Sequence, residues 1–300
     1  METDIFHSGY VAILGAPNAG KSTLLNTILK EKLSIVSDKP NTTRRNFIGI
    51  HTTKDCQMIF LDTPGVHQST KKLNQSMIHQ IYGAIGDADI LCLLIPLDTP
   101  LSEDIVELTE RIKKDFSEKK ILVVVNKADL EIEEHKVKRE NLATLFKGMP
   151  NCVISGKTGE GVEQLLTQLE LMLPIGPPYY PADQLSASHI RDIAAEVVRE
   201  KIMELMYEEI PYATTVTIES FNEEPDIVSI RASIIVEHDS QKGMVIGKGG
   251  KKIRAIGIQA RADLERMVGR QVFLDLRVKV DPRWTQNQAR LSSYGYTQKK

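Results

Sequence analysis

The sequence predicts two consecutive domains of different class, a doubly wound α/β domain followed by a smaller α+β domain. Three observations predict it. Short apolar runs alternate with helical patterns over the first 175 residues. A proline-rich tract interrupts the pattern at residues 173–181, and beyond it the order becomes helix, two β-like runs, helix and strand. A chain of 300 residues is long for one domain and comfortable for two.

The apolar runs cover residues 10–14, 57–61, 90–95, 121–125 and 152–154, most of them rich in Ile, Val or Leu, as befits strands covered on both faces. Helical patterns cover 21–30, about 72–84, 102–116, 133–146 and 162–173. Residues 33–50 fit neither pattern and read as a loop and an edge strand. Residues 173–181 pack four prolines and one glycine into nine positions, which no helix or central strand accepts. Residues 176–182 therefore read as a stiff linker between domains at 1–175 and 183–300. An amphipathic helix is expected over about 186–207, stopping before Pro211. β-like runs at 214–221 and 227–236 flank a hairpin loop, Asn222-Glu-Glu-Pro-Asp226. A Gly-rich basic segment, a helix over about 251–268 and a strand over 272–280 follow. No internal repeat or low-complexity tract occurs.

The formal net charge of −2 is unevenly spread. Residues 182–237 hold four Lys/Arg against twelve Asp/Glu, whereas residues 238–300 hold fourteen against five. A basic end on a near-neutral chain points to a polyanionic partner for that end alone, with a solvated charged face as the alternative. Cys56, Cys92 and Cys152 are isolated, which excludes a disulfide framework and a typical zinc site and suits a reducing cytosol. No stretch approaches the ~18–20 apolar residues of a membrane span, and the acidic start, Met1 to Phe6, is no signal peptide. The expectation is a cytoplasmic protein, with peripheral contact at the inner face of the membrane left open.

Gly15, Ala16, Pro17, Asn18, Ala19, Gly20, Lys21 and Ser22, with Thr23 after them, match GxxxxGK(S/T) between a strand and a helix. In that context glycines let the backbone turn tightly, successive N–H groups converge on phosphate oxygens, and the following helix presents its positive end. Lys21 is placed to meet the β- and γ-phosphates and Ser22 to ligate Mg2+. Asn126-Lys127-Ala-Asp129 then selects the base, about 105 residues downstream. A carboxylate at Asp129 accepts from the N1–H and exocyclic amine of guanine, a donor pair that adenine lacks. Asn126 ties this loop to the phosphate loop, and Lys127 lies along the base plane. Asp62-Thr63-Pro64-Gly65 follows a strand, with Asp62 suited to outer-sphere Mg2+ and the Gly65 N–H to the γ-phosphate. Ser155-Gly156-Lys157 follows the last strand of the domain and supports the guanine oxygen.

This ordered set resembles the translation-factor-related GTPases. Pro17 and Asn18, together with Thr42-Thr43-Arg44, resemble their Era branch. The resemblance implies that a switch threonine completes the Mg2+ shell in the GTP state. Thr43, just before Arg44, matches better than Thr42, and Lys21, Thr43 and Gly65 are then the residues expected to act in hydrolysis. Small signalling GTPases carry a water-orienting glutamine just after DTPG; here the position is Val66, which has no polar atom, so slow hydrolysis is expected. Relatives with an apolar residue there use other means, including K+ near the phosphates, and Asn18 matches their potassium-binding asparagine. His67 is the other polar candidate, either catalytic or solvated.

In the second domain Gly247-Lys248-Gly249-Gly250 sits within Val-Ile-Gly-Lys-Gly-Gly-Lys-Lys-Ile, followed by Lys251, Lys252 and Arg254. KH domains clamp single-stranded nucleic acid with such a GxxG loop, and the order α–β–β–GxxG–α–β resembles the type II KH arrangement. The apolar residues Val245, Ile246, Ile253 and Ile256 either line the groove or lock two helices. The tail interleaves Trp284, Tyr294 and Tyr296 with Arg283, Arg290, Lys299 and Lys300. Its rings either stack bases, with Trp284 as an RNA-binding residue, or Trp284 anchors the tail. The resemblance to Era GTPases thus covers essentially the whole chain. It implies a monomeric switch that binds GTP and GDP with Mg2+ and holds the 3′ end of 16S rRNA during 30S subunit maturation. Two other classes remain: a metabolic kinase, opposed by Asn126–Asp129, and a protein or membrane docking module in which GxxG is an ordinary turn.

Overall fold

The computed structural model describes residues 5–37, 39, 42–66, 72–130 and 132–296, with backbone alone at 133–137. His67, Lys299, Lys300 and the first four residues lie outside the described residues. Two compact units are present. The first comprises Met1–Ser34, Thr43–Ser69 and Asn74–Ala187; the second comprises Ile35–Thr42, Thr70–Leu73 and Ser188–Lys300.

Strands as apolar as Ile90–Pro96 and Lys120–Asn126 require cover on both faces, and the first unit supplies it. Its elements run β1 (His7–Gly15), α1 (Lys21–Leu29), β2 (Phe47–Thr52), β3 (Cys56–Asp62), α2 (Lys72–Asp87), β4 (Ile90–Pro96), α3 (Glu103–Asp115), β5 (Lys120–Asn126), α4 (Glu133–Leu145), β6 (Asn151–Val153) and α5 (Val162–Met172). The sheet order is β2-β3-β1-β4-β5-β6, with β2 antiparallel to β3 and the other pairs parallel. Successive residues of β1 feed opposite cores, as the two-residue period of a strand dictates. Val11 and Ile13 pack with Leu24, Leu25, Leu165 and Leu169 of α1 and α5. Ala12 and Leu14 pack with Ile81, Ile85, Ile105 and Leu108 of α2 and α3. Strand order reverses on either side of β1, so the crevice beyond its carboxyl end is where such sheets bind ligands.

The proline tract lies along this unit. Ser8 Oγ donates to the Pro177 carbonyl (2.7 Å). The buried Gln57 amide accepts from the N–H groups of Tyr179 (2.7 Å) and Tyr180 (2.9 Å) and donates to the Tyr180 carbonyl (2.8 Å). Further on, the Ile50 N–H bonds the Leu185 carbonyl (2.9 Å) and Ser186 Oγ donates to the Ile48 carbonyl (2.6 Å).

The second unit runs α6 (Ile190–Leu205), β7 (Thr215–Glu223), β8 (Ile227–Val236), α7 (Asp239–Ile246), α8 (Lys251–Val268), β9 (Gln271–Val280) and α9 (Gln288–Ser293). The order α–β–β–α–α–β is the expected α–β–β–GxxG–α–β with one more helix, α7, leading into the GxxG turn. Its sheet is β7-β8-β9, antiparallel at the first pair and parallel at the second. β7 extends through Glu223, so the hairpin loop is shorter than the sequence implied. Charged residues on α6 are buried, and Lys201 pairs with Glu200 (3.3 Å) and with Asp263 of α8 (2.9 Å).

The tail reading needs correction at Trp284. Its ring has 0% exposure and stacks on Tyr296 (centroids 5.8 Å apart), with Tyr294 edge-on at 5.7 Å. Leu73, Leu291 and Ile235 complete the cluster, and the indole N–H donates to the Ala213 carbonyl (3.1 Å). A large ring with its polar edge satisfied inside the protein contributes most when enclosed, and an enclosed ring offers no face to a base. The fully buried Tyr296 is likewise no platform; its hydroxyl meets Thr215 Oγ1 at 2.7 Å. The short helix α9, unforeseen in the sequence, begins at Asn287, whose Oδ1 accepts from the N–H groups of Ala289 (3.0 Å) and Arg290 (3.2 Å).

Candidate nucleotide site and nucleic-acid interface

The phosphate loop joins the end of β1 at Gly15 to the start of α1 at Lys21. Two of its glycines are dictated by space. A Cβ on Gly15 would sit 2.6 Å from the Leu94 carbonyl oxygen, and one on Gly20, at φ +91°, would sit 2.5 Å from Asn126 Nδ2. Asn18 is exposed and adopts φ 60°. Lys21 is buried, and its ammonium donates to the carbonyls of Gly15 (3.1 Å) and Ala16 (2.9 Å). Desolvation pushes its pKa down to about 8, against the opposing pull of Asp62.

The predicted metal ligands come together. Ser22 Oγ donates to Asp62 Oδ2 (2.6 Å) and lies 2.9 Å from Thr43 Oγ1. Ser34, which no motif signalled, also donates to Asp62 Oδ2 (2.8 Å). Thr42 faces elsewhere, its hydroxyl bonded to the Lys39 carbonyl (2.6 Å). Asp62 is fully buried and burial raises its pKa, with the bond from Ser22, the charge of Lys21 and the bond from Ser34 opposing. Its other oxygen, Oδ1, has no hydrogen-bond partner. A buried carboxylate oxygen without a donor is costly, and hard oxygen donors beside it suit Mg2+. No cluster of three or more His, Cys, Asp or Glu able to hold a metal occurs among the described residues, so such an ion would rely on these hydroxyls, Asp62 and phosphate oxygens.

The loop after β3 rests on the phosphate loop. A Cβ on Gly65 would lie 2.8 Å from Pro17, Val66 donates its N–H to the Gly15 carbonyl (3.0 Å), and Thr63 Oγ1 donates to the Ile13 carbonyl (2.7 Å). Pro64 and Val66 are buried, and Val66 brings no polar atom to the γ-phosphate side.

At the base end, the buried Asn126 donates through Nδ2 to the Ala19 carbonyl (2.8 Å) and accepts at Oδ1 from the Gly156 N–H (2.8 Å). Thr27 Oγ1 holds the Gly156 carbonyl (2.6 Å), fixing the same loop to α1. Ser155 Oγ donates to Asp129 Oδ1 (2.6 Å), orienting that carboxylate. Lys127 adopts φ 68°, and its ammonium pairs with Asp98 at 2.7 Å. Asp98 was missed because it belongs to no motif. Lys157 is exposed at the rim.

In the second unit, Gly247, Gly249 and Gly250 all have positive φ (71°, 62° and 74°), and a Cβ on Gly247 would meet Lys252 Cγ at 2.8 Å. The turn they make leaves Lys248, Lys251, Lys252 and Arg254 exposed around the N-terminus of α8, a concentration of positive charge suited to phosphate. Val245 and Ile256 have no exposed surface and so line no open groove.

Comparison with known proteins identifies both domains. Residues 10–127 match the family described as 50S ribosome-binding GTPase, and residues 209–285 match the KH domain family. GTPase Era of Geotalea uraniireducens is 42% identical over 296 residues, covering 97% of this chain and 98% of that protein. GTPase Era of Geobacter metallireducens is 40% identical over 302 residues, covering 99% and 100%. A variant Era of Aquifex aeolicus bound to GDP·AlF4− superposes with a TM-score of 0.93 at 33% identity, covering 98% of this chain and 100% of that one. An Era complex with MgGDPNP and nucleotides 1506–1542 of 16S ribosomal RNA gives the same TM-score, identity and coverage. With 40–42% identity over nearly the full length of both chains, and a GTPase family and a KH domain family matched in that order, this chain belongs to the Era family of GTPases.

Proposed function

We propose that this chain is a GTP-driven switch that binds the 3′ end of 16S rRNA and acts in maturation of the 30S subunit, with residues 1–175 holding nucleotide and 183–300 holding RNA. The observation that carries the reading is Asp62, a buried carboxylate with Ser22 and Thr43 beside it and one oxygen left without a donor. Ser22 and Thr43 would hold Mg2+ directly and Asp62 would hold it through water. The ion would neutralise charge on the transferring phosphoryl group.

Lys21 would exchange its two loop carbonyls for phosphate oxygens, which would restore the ammonium that burial disfavours. The Gly65 N–H would meet the γ-phosphate, and the Thr43 and Gly65 segments would relax once it leaves. Val66 cannot orient water, so the GTP state is long-lived. Asn18 is the candidate ligand for K+, whose charge beside the phosphates would do part of the work of an arginine finger; equal hydrolysis in KCl and NaCl would remove it from the mechanism. The RNA reading rests on four exposed cations around the GxxG turn, and the Era relative crystallised with 16S rRNA nucleotides supports the choice of RNA. We place the switch in the cytoplasm as a monomer, where three free thiols stay reduced; no helix among the described residues is long and apolar enough to cross a membrane, and membrane contact would be peripheral.

The test is RNA affinity in two nucleotide states. A pyrimidine-rich rRNA 3′ end should bind more tightly with GDPNP than with GDP, and by linkage the same RNA should change nucleotide affinity by the same factor. Equal affinities in both states would remove the coupling.

A further inference from the structure

We propose that Ser34, a few residues beyond helix α1, is a positioning residue for Mg2+ that acts by fixing the Asp62 carboxylate. The proposal deepens the functional reading above and rests on it.

Every residue involved belongs to the first unit. Ser22 and Asn26 stand four positions apart on α1 and so share one face of that helix. Ser22 reaches Asp62 directly, through its hydroxyl. Asn26 reaches it by a relay. Past the end of α1, Lys30 adopts φ 56° and the chain turns back toward Asn26. The Asn26 carboxamide accepts from the N–H groups of Leu33 (3.0 Å) and Ser34 (2.8 Å) and donates to the Ser34 carbonyl (2.7 Å). These bonds hold the backbone of Ser34 on both sides, and its hydroxyl donates to Asp62 Oδ2 at 2.8 Å. The result is a closed ring: one helix grips one carboxylate oxygen twice, once through Ser22 and once through Asn26 and Ser34.

A carboxylate needs this help because rotation about its last side-chain bond is soft, with a broad minimum. Burial alone therefore does not set where the second oxygen points. Donors prefer to lie near the plane of the group they serve, so two donors arriving on Oδ2 from separate segments constrain that plane more tightly than one. Ser34 is 4% exposed and Asp62 has no exposed surface, so the bond forms in a dry setting where it is strong.

What the grip leaves over is Oδ1, buried and without a donor. That deficit is costly in the protein alone, and a water of the Mg2+ shell would remove it. Ser34 is not itself one of the proposed ligands, since its hydroxyl is committed to Asp62. Groups of this kind, which orient the ligands of a metal from behind, set affinity nearly as strongly as the ligands do. Ser34 makes no part of the phosphate loop or the guanine loops, so it should matter for the ion and not for nucleotide held without one.

The experiment compares Ser34→Ala and Asn26→Ala with the parent in the full chain, using thermal unfolding to show that each folds. A fluorescent GDP analogue is loaded, and its release is followed by stopped flow across a range of free Mg2+ and in excess EDTA. An ion bridging phosphate and protein holds nucleotide in place, so release from the parent should slow as Mg2+ rises. Ser34→Ala should raise the Mg2+ concentration for half of that slowing by roughly tenfold, the lower end of the loss when an outer partner of a metal site is removed. Its release rate in EDTA should stay within twofold of the parent's. Asn26→Ala keeps the hydroxyl but frees its backbone, and should shift the half-point in the same direction by less. An unchanged half-point in Ser34→Ala overturns the proposal while leaving the GTPase reading intact. Equal acceleration with Mg2+ and in EDTA also overturns it, because that pattern marks damage to the nucleotide loops. Should Ser34→Ala not fold, Asn26→Ala decides: a parental half-point there overturns the proposal. A parent that releases GDP at one rate with and without Mg2+ would instead refute the underlying metal site.

Discussion

Replacing Asn126 by alanine tests whether the two loops that bind nucleotide are aligned by one side chain. The carboxamide is 2% exposed and makes two bonds, to the Ala19 carbonyl and from the Gly156 N–H, each 2.8 Å long. Alanine removes both and leaves a buried acceptor and a buried donor unpaired, at about 1–3 kcal/mol each. The two losses share one side chain and are not independent, so about 3 kcal/mol is a reasonable total, which corresponds to roughly a hundredfold in affinity if all of it falls on the bound state. The bonds also exist without nucleotide, so part of the loss should appear in the free protein as a drop in Tm of several degrees. The remainder should appear as faster dissociation of a fluorescent GDP analogue, measured by stopped-flow displacement. Gly20→Ala, whose new Cβ would collide with Asn126 Nδ2 at 2.5 Å, should move both observables the same way. If Asn126→Ala holds GDP within threefold of the parent, the loops are aligned by something else and the argument fails.

Three further outcomes are expected. Trp284→Ala removes a fully enclosed indole and should destabilise the second unit by about 3–5 kcal/mol. Since the chain has one tryptophan, its emission in the parent should also stay unchanged on adding RNA, and quenching by RNA would show the ring is reachable after all. Lys21 has a folded pKa of about 8 against 10.5 when free. The unfolded chain therefore binds the extra proton between those values, and stability of the nucleotide-free protein should rise with pH across that window. Lys21→Met should flatten the rise, increase Tm near pH 7 and abolish stabilisation by GDP; a Tm–pH curve parallel to the parent's would contradict this. Joint replacement of Lys248, Lys251 and Lys252 by alanine should weaken RNA binding and make the slope of log affinity against log salt shallower by about 2. An unchanged slope in a titration from low to high KCl would take these cations off the phosphates.

The parts legible in the sequence were those whose chemistry is local. Lys21 and Ser22 open the helix that follows β1, and Asn126 and Asp129 stand at and just beyond the end of β5, so each pair belongs to a short motif behind an apolar strand. The same holds for Gly247 to Gly250, where positive φ confines the choice of residue. What escaped was set by distant partners. Ser34 reaches Asp62 across 28 positions and Arg199 reaches Thr42 across 157, and neither carries a local signature. Trp284 was ambiguous for a related reason: an aromatic residue among cations has the composition of a base platform, and it is the cluster of Leu73, Ile235, Leu291 and Tyr296 that shows an enclosed ring. Asn287 did carry a signal, a helix-capping residue three positions beyond Trp284, that would have disclosed the short tail helix.

The contacts of residues 185–187 have a consequence for handling and for synthesis. β2 is the outermost strand on its side of the sheet, and an open strand border is a template for pairing with another chain. Here Leu185, Ser186 and Ala187 occupy hydrogen-bonding positions along Ile48 to Ile50, so the chain covers its own border. A polypeptide ended near residue 175 would keep every nucleotide-binding loop yet expose that strip, whereas one ended after Ala187 would not. During translation the same exposure lasts until residue 187 has left the ribosome, so the nucleotide-binding unit becomes protected from self-association only once the proline tract has followed it out.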